Sequence, residues 1–538
     1  MKTTPVIQNS KFQFPIPISN FQNLRAAPVV RGIWSLMMLG GLALGVLNFS
    51  THAAPIAGKR PNILFILTDD QGYGDLSAHG NPVLKTPNLD KLHREGVRFT
   101  DFHVSPTCSP TRSALLTGRH EFKNGITHTI LERERMTLKA TTLAQALQSA
   151  GYTTGVFGKW HLGDEAAYQP NRRGFGEVFI HGGGGIGQIY PGSCGDAPGN
   201  KYFDPAILHN GKFEKTKGYC TDVFYAQATK WIDSRRKAGK PFYAYIPSNA
   251  PHGPYIARPE DKALYEGKGL AADTESFFGM LHNIDQNVGK LLAKLDEWGI
   301  AKDTLVVFMN DNGGTAGTKV FNAGMRAQKG TAWLGGTRAS SFWRWPGTLK
   351  PADCGVLAAH IDFFPTLAEI TGAKLSADVK KQIEGRSLVP LLENPAGSLP
   401  DRIQFTHQGR WPKFSDPNLA KFKMCSIRNT RWHLVSANGT AEPKWELFDV
   451  KADYGEQTDV AAQHPDVVKE LAAAYDKFWA EALPLMVNEK VVGPALNPFQ
   501  ELYYQQFGGS PTAADLQKMD PSRKFGEEAP KAGKKKKK

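Results

Sequence analysis

Two apolar runs of strand length along this chain each end in a pair of oxygen-bearing side chains. "PNILFILTDD" (61–70) closes on Asp69 and Asp70, and "DTLVVFMNDNGG" (303–314) carries Asp311 and Asn312 just past its run. Neither run alternates apolar with polar positions, which is the pattern of a strand buried on both faces of a parallel sheet. "NLDKLHREG", "TTLAQALQSAG" and "SFFGMLHNIDQNVGKLLAKLDEWG" instead space their apolar residues for one face of a helix. Each closes on the glycine that suits a helix C-terminus. Further strand-like runs, "YTTGVFGKW" and "PFYAYIPS", follow helical segments. This alternation predicts an α/β fold, a large mixed, mostly parallel sheet sandwiched by helices. Ligands in such sheets gather beyond the carboxyl ends of the strands, where both acidic pairs would emerge.

The pattern changes near residue 400. "MCSIRNTRWHLVSA" and "KWELFDVKAD" read as short antiparallel strands, and "PDVVKELAAAYDKFWAEAL" as an amphipathic helix. The expected organisation is a main domain over 60–395, a smaller α+β C-terminal subdomain over 396–500 and a disordered Lys-rich tail over 505–538. No internal repeat is visible. The segment 181–220 is a loop-rich insert. Its "HGGGGIG" (181–187) lacks the Gly-Lys-Ser/Thr ending of a phosphate loop, and a flexible wall of a ligand cleft is the expectation there.

Composition alters this picture little. At 538 residues, 41% hydrophobic and 22% charged, the chain is neither fibrous nor wholly disordered. The formal charge of +14 sits mostly at the ends: residues 1–53 hold +4 and the stretch from Arg523 holds +6, leaving +4 between them. A mildly basic body is no polyanion-binding signature, so no nucleic-acid partner is expected. Arg25 and Arg31 precede the apolar "GIWSLMMLGGLALGVLNF" and the small residues of "STHAAP". That is the layout of a signal peptide over 1–53, which implies a periplasmic or secreted protein. The apolar run of 18 residues approaches the ~20 that cross a bilayer, so an uncleaved anchor is the alternative; after cleavage no stable membrane insertion is expected. Five cysteines, an odd count in an exported chain, single out one thiol. Cys194 and Cys220 share one insert and form the favoured disulfide, with Cys354 and Cys425 leaving other pairings open.

Two adjacent carboxylates repel each other, and a hard divalent cation with oxygen ligands would hold Asp69, Asp70, Asp311 and Asn312 together. Against that, "DD" and "DNG" are also ordinary turn residues. A second question comes from "CSPTRSALLTGRH" (108–120). Pro110 falls in the first turn of a helix, where proline is tolerated, and "RSALLTG" continues as good helix formers to a glycine stop. Cys108 then stands at a helix N-terminus, whose free N–H groups and positive dipole favour a thiolate or a bound oxyanion. Arg112, one turn later, adds its guanidinium fork. The plain alternative is a buried or disulfide-bonded Cys108 with Arg112 in a surface ion pair.

"CSPTRSALLTGRH" resembles the C-x-P-x-R signature, followed by Thr-Gly, of the type I sulfatases of the alkaline phosphatase superfamily, in which the cysteine is oxidised to formylglycine. "TDDQGYGDLSAHG", "TPNLDKLHREGVRFTDFH", "GKWHLG", "PHGP", "NDNGG" and "QKGTAWLGGTR" follow the family's order, and the resemblance covers most of residues 60–480. It implies an alkaline-phosphatase-like catalytic domain over 60–395, an arylsulfatase-type hydrolysis of sulfate monoesters, and Ca²⁺ in preference to Mg²⁺. It also implies a formylglycine-generating maturation enzyme as a partner. By matching motifs, Asp69, Asp70, Asp311 and Asn312 are implied as metal ligands, with Cys108 completing the shell once modified. Arg112 is implied to steady the modified residue. Lys159 and His161 are implied beside it, the histidine as base of an elimination step; His252 and Lys329 are implied to bind sulfate and help protonate the leaving oxygen.

General chemistry agrees with those roles. Cations around a tetrahedral oxyanion stabilise developing charge, and histidine titrates near neutrality. A serine attacking a sulfate monoester would leave a sulfate ester as hard to hydrolyse as the first. A hydrated aldehyde attacks with one hydroxyl and uses the second to expel sulfate. Taken singly, each residue has a plainer role: Lys159 and Lys329 as solvated cations, His161 and His252 as packed histidines.

Two segments depart from the family pattern. Leu334 stands where many members have an acid, and Ala339 and Ser340 where many have Val-Pro, which bears on loop packing or substrate contacts more than on chemistry. In "THQGRWP", His407, Arg410 and Trp411 either reach a sugar or pack. The expected substrate is a small-molecule or oligosaccharide sulfate ester, in nature a sulfated carbohydrate. The rivals are a phosphodiester or phosphonate ester hydrolase of the same superfamily and a non-catalytic sulfated-glycan-binding protein.

Overall fold

The strand Asn62–Thr68 lies near the middle of a ten-stranded sheet in a computed structural model that describes residues 55–190, 192–513 and 516. The expected signal peptide and most of the Lys-rich tail lie outside those residues. Five strands run parallel across the middle of the sheet, in the order Thr304–Asn310, Asn62–Thr68, Phe242–Pro247, Thr153–Lys159 and Glu177–His181. Antiparallel neighbours flank them: Ser341–Arg344 on one side, Ala206–His209 and Lys212–Lys215 on the other. Val97–Phe99 and Ala352–Cys354 complete the sheet.

The unbroken apolar runs have the expected cause. Ile63, Phe65 and Leu67 enter one core and Leu64 and Ile66 the other, so both faces of the strand are buried. The first core takes Leu115, Leu147 and Leu367 from the helices Cys108–Thr117, Leu143–Ser149 and Phe363–Thr371. The second takes Leu92, Phe224 and Leu281 from Pro87–Glu95, Cys220–Lys237 and Ala272–Glu297. Burying each such side chain stabilises the fold by roughly 1.5–3 kcal/mol, which is why both faces must be covered.

A separate four-stranded antiparallel sheet follows, Gln404–His407, Cys425–Arg428, Trp432–Ser436 and Glu446–Asp449, against the helix Pro465–Ala482. The chain then returns to the main body. Phe499, Tyr503 and Phe507 form an i, i+4, i+8 stripe on the helix Pro498–Phe507, and Phe499 and Tyr503 pack on Phe213. Gln506 exchanges hydrogen bonds of 2.8 and 2.7 Å with the Phe213 backbone. The helix thus covers the edge strand Lys212–Lys215, and it runs past residue 505, where the tail was expected to begin.

Two further expectations are corrected. All five cysteines are free and buried, so Cys194 and Cys220 are not paired. Their thiols serve separate acceptors, Cys194 the Thr129 carbonyl at 3.4 Å and Cys220 the Asn249 Oδ1 at 3.6 Å. The "HGGGGIG" segment is a packed wall instead of a flexible one: residues 181–186 are buried, and the carbonyls of His181 and Gly182 accept from Trp160 and His161 at 3.1 and 2.9 Å. Among the described residues, no helix is long and apolar enough to cross a membrane.

Candidate active site

Each of the five parallel strands delivers something to one cleft at its carboxyl end. Asp69 and Asp70 follow Asn62–Thr68, Asp311 and Asn312 follow Thr304–Asn310, and His252 lies just beyond Phe242–Pro247. Lys159 ends its strand with His161 two residues on, and the glycine-rich wall follows Glu177–His181. Gly158 permits the closest of these approaches. Its φ is 141°, and a Cβ there would lie 2.1 Å from the Pro247 carbonyl oxygen, so any side chain would push apart the strand that aims Lys159. Cys108 is the first residue of the wholly buried helix Cys108–Thr117, with Arg112 one turn later.

The Cys108 Sγ and carboxylate oxygens of Asp69 and Asp311 all lie within 4.8 Å of one another. Arg112 donates to Asp311 Oδ2 through Nε at 3.1 Å and Nη2 at 2.8 Å, and its Nη2 stands 3.7 Å from Asp69. Its Nη1 donates to the Lys159 carbonyl at 3.2 Å. Lys159 pairs with Asp69 and Lys329 with Asp70. Asn312 Nδ2 donates to Asp70 Oδ1 at 3.1 Å, and His252 Nε2 is 3.8 Å from Asp70 Oδ2. Lys159 and Arg112 are fully buried, whereas the side chains of Lys329 and His252 keep 15% and 16% exposure and so mark the mouth. Asp70 and His161 hold φ of 68° and 58°. Left-handed backbone at such residues costs about 1–3 kcal/mol and collects at working sites.

The electrostatics describe a cup of buried carboxylates set among cations. Burial works against the Asp69 charge, but Lys159, His252, Arg112 and Lys329 together hold its carboxyl well below the usual range. Burial, and then the charge of Asp69, push Asp311 well up. Burial also opposes the Cys108 thiolate, yet Lys159 and Lys329 bring the thiol down. Two acceptor oxygens, Asp69 Oδ1 and Asn312 Oδ1, are buried without any partner. Orphaned hard oxygens from two strands, beside three carboxylates, are the donor set a divalent cation such as Ca²⁺ takes. Burial, and then Lys159, hold His161 well below its ordinary range. Its Nε2 contacts the Thr129 carbonyl at 2.7 Å and its Nδ1 is unpartnered.

Every residue that the sequence singles out for metal binding or catalysis converges on this cleft. Two residues that contact it were not singled out. Asn310 donates to the Gln71 carbonyl at 2.9 Å and accepts from the Ser340 N–H at 2.9 Å, bracing both acid-bearing turns. A polar residue closing an apolar strand was the available signal. Thr129 acts through its carbonyl, which has no sequence signal.

The sulfatase family model matches residues 61–373. The chain belongs to the sulfatase family. Arylsulfatase A of Bos taurus is 31% identical over 471 residues, covering 80% of this chain and 89% of the relative. Arylsulfatase J of Mus musculus is 27% identical, covering 84% and 82%. Among solved structures, Ps i-CgsB in complex with k-i-k-neocarrahexaose aligns with a TM-score of 0.68 and 27% identity, over 80% of this chain and 94% of that one. A phosphonate monoester hydrolase of Agrobacterium radiobacter, at TM-score 0.52 and 20% identity, shares the fold. The protein is therefore a sulfuric ester hydrolase with an alkaline-phosphatase-like fold.

In this sulfatase the departures at Leu334, Ala339 and Ser340 are packing features. Leu334 joins Met325, Trp333, Val435 and Phe448 in an apolar cluster that ties the Lys329 loop to the C-terminal sheet. Its N–H donates to buried Glu456 at 2.9 Å. Ala339 and Ser340 are buried, and the Ser340 N–H is the one that donates to Asn310. His407 and Trp411 also pack, within an aromatic cluster that includes Phe122 and Trp479.

Proposed function

We propose that this sulfatase is exported and hydrolyses sulfate monoesters of a carbohydrate after a maturation enzyme converts Cys108 to formylglycine. One observation carries the reading: an unpaired, buried Cys108 opens a helix beside the Asp69–Asp311 cup, within the field of Lys159 and Lys329. A serine-type enzyme would have no use for a cysteine there, and a structural thiol would not be set among cations. The carbohydrate part draws support from Ps i-CgsB, solved with a neocarrahexaose.

Asp69, Asp70, Asp311, Asn312 and the modified Cys108 would hold Ca²⁺, which supplies positive charge to the sulfate oxygens and to the nucleophile. Lys159, Lys329 and the N-terminus of Cys108–Thr117 orient the tetrahedral anion and stabilise charge as the sulfur is attacked. Arg112 fixes Asp311 and the Lys159 carbonyl. Lys329 and His252, at the mouth, are placed to give the departing ester oxygen its proton. Hydrated formylglycine attacks sulfur with one hydroxyl, and loss of the other hydroxyl's proton, to His161, restores the aldehyde as the C–O bond to sulfate breaks. His161 suits the task because burial and Lys159 keep it neutral.

The decisive measurement is the mass of the peptide spanning Cys108 from the native host, with a loss of about 18 Da relative to the thiol expected for the aldehyde. An unmodified mass in active enzyme would overturn the mechanism. Hydrolysis of an aryl phosphodiester far faster than of an aryl sulfate would overturn the substrate class. Because His161 is depressed below the ordinary histidine value of about 6.5, the acid limb it imposes on kcat should lie below that pH, and His161→Ala should remove it. Chelation should lower both activity and Tm, with Ca²⁺ restoring them more fully than Mg²⁺, because the three carboxylates of the cup then lose their common counter-ion.

A further inference from the structure

The loop 407–411 reaches the active site from the C-terminal subdomain. Gln408 Nε2 donates to the carbonyl of Gly330, the neighbour of Lys329, at 2.6 Å. Two residues on, the Arg410 N–H donates to the Thr127 carbonyl at 2.9 Å, and Arg410 Nη2 donates to Thr129 Oγ1 at 3.2 Å. Thr129 is the residue whose carbonyl contacts His161. Arg410 therefore stands between the segment that carries Lys329 and the segment that holds His161. Tyr190 lies near enough to feel the charges of Cys108, Arg410 and Lys329 together.

The backbone is held there under strain. At Gly409, φ is 68° and a Cβ would come within 2.0 Å of the Thr127 carbonyl oxygen; Arg410 itself has a φ of 64°. Buried His407 and Trp411 anchor the loop on either side, Trp411 through a 2.6 Å hydrogen bond from Nε1 to Glu489. Neighbouring structure thus enforces a conformation that an arginine would not choose.

Among the described residues, nothing answers the Arg410 charge. Its Nε is buried without a hydrogen-bond partner, and among the described residues no carboxylate lies within ion-pair distance of it. The other cations nearby are matched: Lys159 with Asp69, Arg112 with Asp311, Lys329 with Asp70, and Lys413 with Glu132. A partly desolvated guanidinium without a counter-ion is costly, and a planar fork beside an anion-cleaving centre suits a second oxyanion.

We propose that Arg410 binds a second anionic group of the substrate, a sulfate or carboxylate carried by the saccharide near the ester that is cleaved. The enzyme's preferred substrates are then multiply charged saccharides, selected by the C-terminal subdomain. This rests on the sulfatase reading of the cleft.

The test is calorimetric titration of the Ca²⁺-loaded protein with inorganic sulfate, galactose 6-sulfate, an ι-carrageenan tetrasaccharide and a chondroitin 6-sulfate tetrasaccharide. The expected result is that at least one tetrasaccharide binds tenfold or more tighter than galactose 6-sulfate. Arg410→Gln should bring that ratio down roughly tenfold, toward one, as expected for loss of a charge-assisted hydrogen bond, and Arg410→Lys, which keeps charge without the fork, should lower it less. A gain with carrageenan assigns a sulfate, and a chondroitin gain that is lost when the uronate carboxyls are reduced to alcohols assigns a carboxylate. If Arg410→Gln does not fold, Arg410→Gly, which accepts the left-handed backbone, carries the comparison. A ratio near one in the wild type, or one unchanged in folded Arg410 variants, overturns the proposal. Binding needs no turnover, so failure to hydrolyse any sulfate ester would count against the sulfatase mechanism and leave the Arg410 result standing.

Discussion

Cys108→Ser, made without conversion to an aldehyde, is expected to keep its fold and lose turnover of an aryl sulfate by roughly 10³-fold or more, the scale seen when a covalent catalyst is disabled. The fold should survive because the exchange replaces a buried Sγ by a slightly smaller Oγ at the first position of Cys108–Thr117, where the helix signals, Pro110 and the Gly118 stop, are unchanged. The chemistry should fail because a serine has one hydroxyl. Attack on sulfur would create a sulfate ester on the introduced side chain, and expelling that sulfate by C–O cleavage needs a second oxygen on the same carbon. The variant is expected to release at most one equivalent of phenol per chain. It should then carry a bound group of about 80 Da in its intact mass if attack occurs at all. Many turnovers at the wild-type rate would remove the need for formylglycine and refute the mechanism.

The parts of this site legible in the sequence share a physical cause. Asp69, Asp70, Asp311 and Asn312 follow apolar runs that must be central strands, and a parallel sheet brings the ends of such strands to one edge. Cys108 and Arg112 lie on a helix whose proline and glycine punctuate it. Lys159, His161, His252 and Lys329 were reached through family motifs, since a single lysine or histidine in a loop carries no signal of its own. What stayed hidden depends on contacts far apart in the chain. The Thr129 carbonyl that contacts His161 is a backbone group, common to every residue type. The approach of Arg410 to Thr129 joins positions separated by 281 residues. The pairing of Cys194 with Cys220 looked reasonable from proximity in sequence, but the fold gives each thiol its own acceptor. The return of Pro498–Phe507 to the main sheet was visible in principle, because Phe499, Tyr503 and Phe507 keep helical spacing.

Arg112→Met is expected to destabilise the metal-free protein by about 3–5 kcal/mol, the cost of breaking a buried ion pair by removing one partner. The guanidinium is fully buried and answers Asp311 directly and Asp69 at 3.7 Å. Methionine fills much of its volume but leaves two buried carboxylates facing each other with less positive charge between them. Burial and the Asp69 charge already push Asp311 upward, and losing Arg112 pushes it further the same way. Two companion measurements separate charge from packing. Asp311→Asn in the Arg112→Met background removes one orphaned charge, so denaturant unfolding in chelator should show the double variant losing less than the sum of the single changes. Ca²⁺ offers the same carboxylates a new counter-ion, so it should raise the stability of Arg112→Met by more than it raises the wild type. If the losses instead add, and Ca²⁺ shifts both proteins equally, Arg112 acts through its hydrogen bond to the Lys159 carbonyl and its bulk. The cup would then owe its charge balance to Lys159 and Lys329 alone.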